Sequence, residues 1–201
     1  MKYRGPSLEN AQHHYKQAPV ADIYDAQRSK KEKWRKEHET MRFLLQGVSG
    51  SVLDVPVGTG RFLQLYKDLG LDAVGIDYSP LMLAQAREKY PDARLEQGDV
   101  TDLPYPDESF DAVVCVRLLH LVAPSEVATV MHELMRLARC HVIVSANIGA
   151  VSCPKKRSQI HTRGAIMNTV PPVWKLKQFI CVMEADNRLG SYYMAHFIKD
   201  A

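Results

Sequence analysis

Two periods of apolar residues run through the chain. Short strand-like segments fall at Ser51–Val55, Leu71–Asp77, Ala93–Gln97, Asp111–Val116 and His141–Ala146. Between them the apolar positions recur at helical spacing: Phe62, Leu65, Tyr66 and Leu69, with Gly70 placed as a stop, and Val127, Val130, Met131, Leu134 and Leu137 after Pro124. Ser79-Pro80 is a helix start, a serine N-cap with proline at the first helical position, and Pro91 closes that helix after Tyr90. Upstream, Trp34, His38, Met41 and Leu45 share one face of a helix expected from Ser29 to Gln46. Strands alternating with helices predict a parallel sheet. Two later segments, Trp174–Glu184 and Ser191–Lys199, flank the turn 185–190 as a hairpin and add an antiparallel closing strand. The stretch 147–172, with prolines, glycines and the basic residues Lys155, Lys156, Arg157, His161 and Arg163, reads as an irregular insert or lid.

Chemistry concentrates where the first strand breaks, at Val52-Leu53-Asp54-Val55-Pro56-Val57-Gly58-Thr59-Gly60-Arg61. Gly58 and Gly60 flank Thr59, and without Cβ atoms they let backbone pass close to a bound molecule. A nucleotide-like ligand is the first expectation. The second strand ends in Asp77, and a carboxylate there, beside the first turn, can accept both hydroxyls of a ribose. Three glycines in dinucleotide order are missing. Asp99 follows the third strand, where it either points into the crevice or forms an Asp turn with its own backbone.

The stretch Val-Leu-Asp-Val-Pro-Val-Gly-Thr-Gly resembles motif I, Asp-x-Gly-x-Gly-x-Gly, of the class I S-adenosylmethionine-dependent methyltransferases. Gly75 to Leu83, Gly98-Asp99-Val100 and Ser109 to Cys115 resemble that family's later motifs in order and spacing, over roughly residues 50–146. The departure is Pro56 in place of the first glycine, which removes one amide donor. The resemblance implies S-adenosylmethionine as cofactor, held by Asp54, Pro56, Gly58, Thr59 and Gly60 toward its methionine end. Asp77 and Tyr78 would meet the ribose, and Met82, Asp99 and Val100 the adenine, while Val116, at the end of strand 4, is a further cofactor-binding residue. Met82 is read equally as a core filler. The implied fold is α/β, a Rossmann-like doubly wound, seven-stranded, mostly parallel sheet with an antiparallel C-terminal hairpin strand. One domain is expected over 1–201: a helical lid segment 1–48, a cofactor core 49–146, and an insert with hairpin 147–201. Within the lid, Tyr24 and Arg28 are candidates for the substrate or the cofactor carboxylate.

At 201 residues, with 46% hydrophobic and 24% charged residues, the chain is sized for one globular core. Its start has no apolar signal region, and a cytoplasmic setting is expected. The scattered cysteines Cys115, Cys140, Cys153 and Cys181 read as buried thiols, with no metal site. A net charge of +3 does not call for a nucleic-acid partner. The loop after strand 4 also lacks the Asn/Asp-Pro-Pro-Tyr/Phe motif of enzymes that methylate base amino groups. That leaves a small-molecule acceptor as the first reading, with an RNA or protein methyltransferase, or a non-catalytic cofactor-binding protein, as alternatives. Leu103 to Asp111 resembles the quinone-biosynthesis C-methyltransferases. His120 is either a general base at the cleft or a helix cap, and Arg117 holds either an acidic substrate group or a surface carboxylate.

Overall fold

The computed structural model describes residues 6–17, 32–150, 153–154, 159–184 and 190–200. Among these a helix α1 (Leu8–Tyr15) and a second, α2 (Glu32–Leu44), precede the sheet. The core then runs β1 (Ser51–Asp54), α3 (Leu63–Asp68), β2 (Asp72–Asp77), α4 (Pro80–Lys89), β3 (Arg94–Gln97) and β4 (Phe110–Cys115). It continues through α5 (Val127–Leu137) into β5 (Ala138–Ile148). A short ribbon of β6 (Cys153–Pro154) and β7 (Gln159–Ile160), a one-turn α6 (Arg163–Met167), and the long strands β8 (Trp174–Met183) and β9 (Ser191–Lys199) complete it. The expected insert therefore carries regular elements of its own.

The seven-stranded sheet has the order β3-β2-β1-β4-β5-β9-β8. Pairs from β3 through β5 are parallel, while β9 runs antiparallel to both β5 and β8. This is the expected Rossmann-like α/β plan with a reversed C-terminal strand. Successive strand residues feed opposite faces. Leu53, Val113 and Val142 pack with α5, whereas Val52, Val114 and Ile143 pack with Met41 and Leu44 of α2 and Tyr66 of α3. Covering on both faces explains why β4 is almost wholly apolar. Chain order reverses between β1 and β4, and the crevice outside the carboxyl ends of those strands is where such sheets bind ligands.

Two expectations are corrected. Cys115 is buried, but Cys140 and Cys181 are exposed, because both project outward from their strands. His161 does not belong to a basic surface: it is fully buried, and its Nε2 lies 2.7 Å from the Leu119 carbonyl, tying the insert to the turn after β4. Lys155, Lys156, Arg157, Tyr24 and Arg28 lie outside the described residues. No described helix is long and apolar enough to cross a membrane.

Candidate functional site

A cleft of about 940 Å³, its open mouth included, lies at the switch point and is lined by the turn 54–59, the ends of β2 and β4, and α1. Of the residues expected to hold a cofactor, Asp54, Pro56, Gly58, Thr59, Tyr78, Met82, Val100 and Val116 all reach it, as does Asp77.

Asp77 is the best-defined group. Its two carboxylate oxygens accept the Gly58 and Ser79 amide hydrogens, each at 2.8 Å, so the side chain is fixed between the glycine turn and the cap of α4. Burial pushes its pKa up to about 6, and the two amide donors oppose that rise. Each oxygen keeps a lone pair for a further donor such as a ribose hydroxyl. Gly58 has φ of 58°, and a Cβ built there would meet nothing within 4 Å, so the backbone presents an open cradle to the cleft. Gly60 differs. Its Cβ would strike Leu63 and Tyr90 at 2.8 and 2.9 Å, and it lies outside the cleft lining. Its glycine serves the packing of α3 against α4.

Asp54 is buried at the end of β1, and burial raises its pKa to about 8, with Asp77 adding to the rise and Tyr66 and Arg61 opposing it. Met82 is both buried and cleft-lining. Asp99 is placed beside the cleft but not on its wall. Its Oδ1 accepts from the Thr101 amide and hydroxyl, and its Oδ2 accepts from Gln12 Nε2 at 2.8 Å. Asp99 thus forms the Asp turn rather than lining the crevice, and it also anchors an element that covers the crevice.

That element is α1. Leu8, Ala11, Gln12 and Tyr15 line the cleft, the Leu8 amide donates to Glu126, and the Ser79 hydroxyl donates to the Tyr15 carbonyl at 2.6 Å. The sequence reads 1–48 as a helical lid segment, but with helix bounds only from Ser29 to Gln46 and none over 8–15. The available signal was Ser7, which caps α1 by accepting from the Asn10 amide, with Glu9 in the first turn.

Arg117 and His120 part company. Arg117 lines the cleft with φ of 65°, a left-handed conformation uncommon outside glycine, and its amide donates to the buried Ser145 hydroxyl at 2.8 Å. Its partly buried guanidinium donates to the fully buried Glu37 of α2, at 2.8 Å. Arg61 pairs with the same Glu37 oxygen and stacks on Trp34, 3.9 Å from the ring centroid. The two guanidiniums hold Glu37 ionised below the usual carboxylate range against the upward push of burial. Neither Glu37 nor Arg61 was singled out from the sequence. The one hint was an acid on the inner face of α2, in line with Met41. His120 sits in the single turn Leu119–Leu121, half-buried, and does not line the cleft, because Leu118 and Leu121 of the same turn take that wall.

Comparisons with known proteins agree with this geometry. Residues 52–140 match the family model described as a methyltransferase domain. The chain is 43% identical over 96 residues to a phosphatidylethanolamine N-methyltransferase of Cereibacter sphaeroides, covering 45% of this chain and 46% of that one. It is 48% identical over 62 residues to a demethylmenaquinone methyltransferase of Renibacterium salmoninarum, covering 31% and 26%. The chain thus spans less than half the length of these curated relatives. The fold matches that of magnesium protoporphyrin IX methyltransferase from Synechocystis PCC 6803, solved with bound SAM, at a TM-score of 0.68 and 17% identity over 83% of this chain and 80% of that one.

Proposed function

From a core of the class I S-adenosylmethionine-dependent methyltransferase type, we propose that this protein transfers the cofactor's methyl group to a small-molecule acceptor by in-line displacement. The observation that carries the proposal is Asp77, a carboxylate clamped by the Gly58 and Ser79 amides at the cleft edge beside an open glycine cradle. When bound, S-adenosylmethionine supplies an electrophilic methyl group on a sulfonium. The residues fit it: Asp77 and Tyr78 toward a ribose, Met82 and Val100 as an apolar wall for an adenine, and Asp54 with the turn 56–59 toward the amino-acid end.

The rest of the work is positional. Holding the acceptor and the methyl group aligned supplies about 7–11 kcal/mol of such a barrier. Helix α1 and the turn after β4 wall the cleft and keep water from the reacting groups. Among the described residues lining the cleft there is no histidine, so alignment rather than a histidine base is the main contribution of the chain. The relatives are named for phosphatidylethanolamine, demethylmenaquinone and magnesium protoporphyrin IX, which supports a small-molecule acceptor.

The test is transfer of a labelled methyl group from S-adenosylmethionine to pools of quinol-like, carboxylic and amine metabolites. The reading predicts label in one organic product. Cofactor binding without transfer to any pool, or with transfer to RNA, would overturn it.

A further inference from the structure

The turn after β4 is pinned at two points. At its start the Arg117 amide donates to the Ser145 hydroxyl of β5, and at its middle the Leu119 carbonyl accepts from His161 Nε2 at 2.7 Å. Leu118 and Leu121, on either side of the second pin, line the cleft. His161 is itself locked through its backbone to the end of β5: its amide donates to the Asn147 carbonyl and its carbonyl accepts from the Gly149 amide, each at 2.9 Å. Thr162, the next residue, caps α6, whose Ile166 packs in the same apolar cluster as Leu118 and Leu119. The imidazole is therefore a polar link between the insert and one wall of the cleft. A carbonyl only accepts, so Nε2 carries the proton and Nδ1 is bare. Nδ1 is buried with no hydrogen-bond partner among the described residues, and burial lowers the pKa of the ring, which keeps it neutral. Packing alone would favour an aliphatic side chain at such a fully buried position, because a bare buried nitrogen is costly. What the histidine adds is a donor at a fixed reach.

We propose that His161 is a positioning residue of the cleft: its Nε2 hydrogen holds the turn Leu118–Leu121 in place and so sets the wall that those two leucines present to a bound ligand. The inference rests on the reading of the cleft as a cofactor site. A one-turn helix has little hydrogen bonding of its own, so its place depends on ties to its surroundings. The insert thereby shapes the site without entering it, since no described residue of 147–172 lines the cleft.

Two measurements on the full chain test this. Hydrogen exchange is read at the Leu121 amide, which donates to the Leu118 carbonyl at 2.7 Å, and S-adenosylhomocysteine is titrated by calorimetry. The proteins are wild type, His161→Leu, His161→Gln and His161→Asn. Leucine fills the space without a donor. Glutamine carries an amide donor close to the Nε2 position, whereas asparagine carries the same amide on a stem too short to reach the Leu119 carbonyl. The asparagine variant stands in should the leucine variant fold poorly. Loss of the pin predicts roughly tenfold faster exchange at Leu121 in the leucine and asparagine variants, with the amides of β1 and β4 exchanging as in wild type. It also predicts S-adenosylhomocysteine binding weakened roughly threefold to tenfold in those two, and both readouts restored to within about twofold of wild type by glutamine. Equal exchange in all four proteins, or glutamine no better than asparagine, would show that His161 only fills space and overturn the proposal. Faster exchange in β1 and β4 in step with Leu121 would assign the loss to global stability and overturn it too. Faster exchange at Leu121 with unchanged S-adenosylhomocysteine affinity would overturn the part played in the cleft and leave the cofactor reading standing. Failure of wild type to bind S-adenosylhomocysteine would bring down the cofactor reading and the positioning role with it.

Discussion

Glu37 lies on the inward side of α2 with Met41 and Leu44, and its burial is sustained by the guanidiniums of Arg61 and Arg117. Removing its charge takes away the carboxylate that both guanidiniums share. Glu37→Gln is therefore expected to cost about 3–5 kcal/mol in urea unfolding, whereas Arg61→Gln, which leaves a matched pair, costs markedly less. Equal losses in the two variants would contradict the charge count. Asp54 acts in the opposite sense. Its proton is held up to about pH 8 in the folded chain, while an unfolded aspartate releases its proton in the ordinary carboxylate range. Between those limits the unfolded chain binds fewer protons, so stability falls as pH rises and levels off above about 8. Asp54→Asn lacks that loss. It should stabilise the fold by about 1–3 kcal/mol near neutrality, with the advantage growing from pH 5 to pH 8 in thermal melts; a constant or shrinking advantage would refute the assignment. Asp54 and Asp77 were legible in the sequence because each closes a strand beside the glycine turn. The arginine cluster was not, since its members lie on α2, after Gly60 and after β4, and only the folded chain brings them together.

Among the elements, α1 and the turn after β4 decide what the cleft admits. Helix α1 buries only Ala11 deeply and is held by polar contacts to Asp99, Glu126 and Ser79. Such an element has little apolar periodicity to announce it, which is why its cap at Ser7 is the readable signal. Because it docks on a core that is closed without it, deletion of residues 1–27 should abolish turnover while the remaining chain still folds and binds cofactor. Retained turnover would show that α1 is not needed to close the site. In the turn after β4, His120 was read from chain position as a base or a cap, but a one-turn helix points successive side chains in different directions. Leu118 and Leu121 face the cleft, and His120 does not. His120→Ala is accordingly expected to lower the maximal rate less than tenfold without altering its pH dependence. A loss of about 10²–10⁴-fold would restore it as the base.

At the scale of the molecule, the strand order and the reversed β9 follow from alternating strand and helix periods and a hairpin signal, all of them local patterns. What those patterns do not encode is the insert. Its β7 adjoins β5 and the turn after β4, through His161, a residue that composition alone counts as basic and the fold buries. The two faces of apolar packing leave the crevice between β1 and β4 as the place where the polar groups of the core converge, and Asp77 stands at its edge. Cofactor affinity at that carboxylate is thus the most direct test. Titration calorimetry of S-adenosylhomocysteine against wild type and Asp77→Ala, repeated from pH 5 to pH 8, addresses it. Loss of two charge-assisted hydrogen bonds predicts weakening of about 2–4 kcal/mol in the variant. Since binding favours the ionised form and the free group titrates at about 6, wild-type affinity should fall as pH drops through that value, a dependence the variant lacks. Equal affinity of the two proteins across that range, or tighter binding of NAD than of S-adenosylhomocysteine, would contradict the account.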